Sequence, residues 1–137
     1  MNSINEDNHY NAHHYFKLYS LCQLLLEKKN ETELDCKLPQ FLDQDYTLEE
    51  RYKIAKLLRQ MRNKVAHGDF IAFEQKIEEF ACQVLDGKYY FDYSEYSRKN
   101  WVLLNSCCLL EDALKNIMIM LFTDKEKIVA IKNSEKN

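Results

Sequence analysis

Glycine and proline are almost absent from this 137-residue chain, which holds only Gly68, Gly87 and Pro39. With so few residues suited to sharp turns, a fold of many short strands is disfavoured, and long helices joined by a few loops are expected. Also missing is any run of eighteen uninterrupted apolar residues, and "MNSINEDNHYNAHH" at the start has no apolar leader core. Neither a membrane span nor a secretory signal is therefore expected, and the cytoplasm is the default location. The five cysteines (Cys22, Cys36, Cys82, Cys107 and Cys108) contain no C-x-x-C pair. Reduced, buried thiols are expected rather than a disulfide framework or a zinc site. His9 and His13 have the spacing of a bidentate pair, with His14 beside them, but no carboxylate or cysteine completes the set. They read as exposed polar residues or packing contacts, and no metal or cofactor is expected.

What is present is enough for one domain over residues 1–137, with 46% hydrophobic and 30% charged residues. A first helix is predicted from about Asn8 to Lys29, with Tyr15, Leu18, Cys22, Leu25 and Leu26 on one stripe. The segment "NETELDCKLPQFLDQDY" reads as a polar linker in which Pro39 blocks continuation. The second helix opens at Thr47, where "TLEE" is a capping box, and ends near His67, before Gly68. A third runs from Phe70 to about Asp86, with Phe73, Ile77, Phe80, Ala81 and Val84 at helical spacing. The fourth, about Ser97 to Phe122, is apolar nearly all round and so expected to be central or shared with a second subunit. A short amphipathic segment, "DKEKIVAIK", closes the chain on the outside. The expected fold is an all-α bundle of four to five helices.

Charge is concentrated on one element. The net charge is only −3, yet "RYKIAKLLRQMRNK" holds Arg51, Lys53, Lys56, Arg59, Arg62 and Lys64 and no acid. At roughly 100° per residue, Lys53, Lys56, Gln60, Asn63 and Lys64 share the solvated face and Arg59 lies at its edge. Arg62 falls about 40° from Leu58, inside the apolar stripe. An arginine there must snorkel, pair with a buried carboxylate such as Glu111 or Asp112, or face a cleft or an interface. His67 is a further 140° or so round an ideal helix. The two side chains can converge only if the helix stops and His67 turns back across its end. Otherwise the histidine is a helix-terminal residue favoured by the field of the last carbonyls. In the first case it is an acid–base candidate.

The stretch "RNKVAHG" (62–68) resembles the signature of HEPN domains (higher eukaryotes and prokaryotes nucleotide-binding): arginine, a polar residue, then histidine after a short gap. The likeness covers this motif and the layout of a short helical domain. It implies a homodimer in which two motifs form one composite site that cleaves RNA without a metal or cofactor. The catalytic set would be Arg62, Asn63 and His67, with Lys53, Lys56, Arg59 and Lys64 holding RNA. RNA carries its own nucleophile, the 2′-hydroxyl, so products with 2′,3′-cyclic phosphate and 5′-hydroxyl ends are implied. Toxin or antiphage-defence ribonucleases of this kind imply a cognate antitoxin or regulatory partner. Where some such toxins carry a tyrosine two residues after the histidine, this chain has Asp69, which argues against control by nucleotide transfer there. A non-catalytic HEPN module binding nucleotide, RNA or a partner protein is the alternative. Tyr89, Tyr90, Tyr93 and Tyr96 are read as packing aromatics, with base stacking as a second possibility.

Overall fold

The computed structural model describes residues 3–28, 34–84 and 95–134, with side chains described from residue 12 in the first helix and from residue 102 in the fourth. Five helices follow in order: α1 (Ser3–Leu26), α2 (Leu48–Ala66), α3 (Phe70–Val84), α4 (Glu95–Thr123) and α5 (Lys125–Asn133). A short 3-10 turn, Pro39–Phe41, lies between α1 and α2, and no strand occurs among the described residues. The all-α expectation holds.

Two helix ends show why the boundaries fall where they do. Thr47 accepts the Glu50 N–H while the Glu50 carboxylate accepts the Thr47 N–H, so the capping box forms in full. Those hydrogen bonds hold the Glu50 carboxyl below its usual range. Thr47→Ala is expected to lower stability by about 1 kcal/mol, read as the shift in a denaturant midpoint. At α5, the Asp124 side chain caps by accepting the Lys127 N–H.

The helices close on one another as a ring. α1 packs on α2, α4 and α5, α2 packs on α3, and α3 packs on α4. Their shared core includes Tyr15, Tyr19, Leu58, Met61, Phe80 and Leu110, all inaccessible to solvent. Each large apolar side chain buried this way contributes roughly 1.5–3 kcal/mol against conformational entropy. Tyr15 reaches from α1 to α2, where its hydroxyl donates to the Leu58 carbonyl. Burial pushes the Cys22 and Cys107 thiols up to about 12, so both stay protonated.

Three expectations need correction. The segment before α2 is not a polar linker: Leu34, Leu38, Pro39, Phe41 and Leu42 are buried, and so is Lys37. Arg51 donates to the Pro39 carbonyl and Asn116 to that of Phe41, fastening the segment to α2 and α4. Lys37 donates to the Lys132 carbonyl and Lys132 to that of Leu24, so lysines satisfy open ends of α5 and α1. Secondly, α4 is not apolar all round. Its outer face exposes Glu111, Asp112 and Lys115 between Leu104 and Cys108 on one side and Ile119 and Phe122 on the other. Glu111 pairs with His14 of α1 at 3.2 Å rather than with Lys115. Thirdly, only Cys22 and Cys107 are buried; Cys36, Cys82 and Cys108 are exposed free thiols. No described helix is long and apolar enough to cross a membrane.

Candidate functional site at the α2–α3 corner

α2 ends by a backbone mechanism. Gly68 takes a left-handed conformation (φ 70°), its N–H donates to the Val65 carbonyl, and the Asp69 N–H donates to the Lys64 carbonyl, each at 3.0 Å. This is the paired closure of a left-handed helix cap, and only glycine adopts that backbone without strain. The His67 N–H still donates to the Asn63 carbonyl, so His67 remains helical in backbone and the reversal comes one residue later. Asp69 then starts α3 by accepting the Ala72 N–H at 3.0 Å.

Two consequences follow for His67. Its ring is not recruited to cap the helix, because backbone N–H groups already satisfy the last carbonyls. Because His67 keeps a helical backbone, positions 62 and 67 stand about 140° apart round α2. The exposed imidazole has no hydrogen-bond partner among the described residues.

Arg62 is half-buried and lies between α1 and α2. Its guanidinium carbon stands 5.3 Å from the centre of the Phe16 ring, and Nη1 donates to Asn63 Oδ1 at 3.2 Å. Neither Glu111 nor Asp112 pairs with it, so the ion pair expected with one of those two carboxylates does not form. Its Nε is buried without a hydrogen-bond partner, as is the Tyr19 hydroxyl nearby. Burial, then the carboxylates of Asp35 and Glu27, push the Tyr19 phenol well above its usual range, with Arg59 and Arg62 pulling the other way. Arg62 is thus a cation held in orientation by a ring and an amide, with no acid to neutralise it among the described residues.

The remaining basic residues divide. Arg59 is committed to Asp35, its Nε donating to both carboxylate oxygens at 3.0 and 3.2 Å, with each side chain 20% exposed. That pair ties the segment before α2 to the helix. Lys53 and Lys56 are exposed and Lys64 half-buried; Lys53 stands 4.0 Å from Glu49, a contact worth little at that exposure. Lys56 and Lys64 have no acid partner among the described residues. Asn63 Oδ1 accepts from Arg62, and its amide N–H₂ has no partner among the described residues.

Phe16 and Tyr19 are members of this site that the sequence did not announce. Both sit in an amphipathic helix whose aromatics read as core, and only the α1–α2 contact places them beside Arg62. Tyr89, Tyr90 and Tyr93 lie outside the described residues, as does the side chain of Tyr96. Among the described residues, no group of three His, Cys, Asp or Glu side chains is placed to hold a metal ion. No protein-family model, curated protein or solved structure gives a match to the chain.

Proposed function

We propose that the chain is a metal-independent endoribonuclease of the HEPN type, built as a two-fold dimer and serving as a toxin or in antiphage defence. One observation carries the reading: neither Arg62 nor His67, the two residues of the motif, is taken up by an acid partner among the described residues. Among the described residues Arg62, half-buried, has no acid partner, and the exposed His67 ring has no hydrogen bond at a helix end that its backbone already closes.

Helix geometry supports a two-copy form of this reading. Positions 62 and 67 lie about 140° apart on α2, so a site using both would draw Arg62 from one copy and His67 from the other, or stack both pairs about a two-fold axis. The corner beside the motif is suited to such a contact, because Phe70 and Ile71 stand exposed there, Ile71 at 76%. α2 meets α4 chiefly through α1, α3 and the 3-10 turn. An axis across the outer face of α4 would therefore leave the motifs apart.

In the composite site, His67 takes the proton of the 2′-hydroxyl or delivers one to the leaving 5′-oxygen. The oxygen attacks the adjacent phosphorus, the bond to the 5′-oxygen breaks, and a 2′,3′-cyclic phosphate and a 5′-hydroxyl result. Arg62 presents its remaining donors to the charged phosphorane, and the Asn63 amide adds another. Purified protein incubated with RNA in EDTA is expected to cleave it and leave cyclic phosphate ends. Intact RNA, or ends bearing a 3′-hydroxyl, would refute this.

A further inference from the structure

The end of α2 and its lysines have a role in this reading, but the exposed ring of Tyr52 does not. Tyr52, Lys56, Asn63 and His67 succeed one another within an arc of about 60° along the crest of the helix. Tyr52 is 45% exposed, Lys56 and His67 are exposed, and Asn63 offers its amide. From Arg51 to Ala66 the helix has no acid; Glu49 and Glu50 stand before this stretch and Asp69 after it. The flanking groups are neutralised: Arg59 on one side by Asp35, and Lys76 of α3 on the other by Glu79, with Gln60 as a second partner. What remains on the crest is positive charge and donors, with one aromatic ring at the far end.

We infer that the crest of α2 binds single-stranded RNA, and that Tyr52 is a stacking platform for a base upstream or downstream of the phosphate cleaved at His67. This rests on the ribonuclease reading and adds to it the strandedness and length of the substrate. Tyr52 and His67 are fifteen residues apart, about 22 Å along the helix. A stacked strand advances about 3.4 Å per nucleotide, so roughly six nucleotides span the crest. A duplex keeps its base faces in the stack, and its deep major groove excludes side chains. It can meet the lysines but has no face to offer Tyr52. Stacking on a tyrosine is tolerant of base identity, so length and strandedness, rather than sequence, set affinity here.

The test uses His67→Ala protein, so that RNA stays intact, titrated with fluorescein-labelled oligoribonucleotides of increasing length and followed by anisotropy. Adding Tyr52→Ala is expected to weaken binding of strands longer than about six nucleotides by roughly 5- to 100-fold. Shorter strands and a duplex of the same sequence are expected to bind unchanged, and Tyr52→Phe to restore affinity. An abasic residue at the matching position should cause the same loss, with no further loss on adding Tyr52→Ala. Equal affinity with and without the Tyr52 ring on long strands overturns the inference, and so does an equal loss on duplex. The two readings fail separately. If wild-type protein cleaves RNA but Tyr52→Ala leaves KM for long strands unchanged, the platform is wrong and the ribonuclease stands. If wild-type protein does not cleave but the Tyr52-dependent, length-dependent binding is found, the platform stands and the chemistry is wrong.

Discussion

Arg62→Lys, which keeps the positive charge, should lower RNA cleavage by about 10²- to 10³-fold, the scale of losing one preorganised donor to a charged transition state. The guanidinium lies over Phe16 and is tethered to Asn63, which fixes the plane of its fork before any substrate arrives. Lysine offers a mobile point charge that neither stacks flat nor reaches two phosphorane oxygens in a fixed geometry. Stability should hardly respond: the lost ring contact is worth about 1 kcal/mol, and no acid is left unpaired. A buried ion pair would behave in the opposite way, costing about 3–5 kcal/mol when one partner is removed. Parallel measurements of cleavage rate and urea midpoint separate the two. Loss of activity at near-constant stability is the signature of a residue held ready for a ligand.

Ile71→Asp should turn the dimer into a monomer and remove cleavage as completely as a change to the motif. In one chain the substitution is benign. Ile71 is exposed at 76%, and an acid in the first turn of α3 interacts favourably with the helix N-terminus. Across a two-fold axis at this corner it would bring like charges together and desolvate both. Sedimentation velocity should then report one chain with unchanged helical content by circular dichroism. A monomeric Ile71→Asp protein that cleaves RNA at the wild-type rate would show that the site needs no second copy.

The legible parts of this fold were those set by neighbours in sequence. The Thr47 box, the end of α2 at Gly68 and the apolar spacing of α3 each depend on residues within a turn or two, and each matches the structure. What was not legible depends on distant partners. The segment carrying Leu34, Leu38, Phe41 and Leu42 looks polar because its charged residues are interleaved with the apolar ones. Only the groove beside α2 and α4 makes those leucines core. Likewise, Arg59 and Arg62 are indistinguishable by residue type, but Asp35 occupies the first while Phe16 underlies the second. The α1–α2 register separates a structural arginine from an available one, and helical spacing within α2 cannot supply it.

The central claim is that Arg62 and His67 serve one reaction although their positions lie about 140° apart on α2. The most direct test is the rate of RNA cleavage in EDTA by wild-type protein, Arg62→Ala, His67→Ala and the double variant, each checked for helical content. If both act on one transition state, each single change should bring the rate down to a similar floor, and the double variant should fall little further. A folded His67→Ala protein that cleaves RNA as fast as wild type would contradict the account.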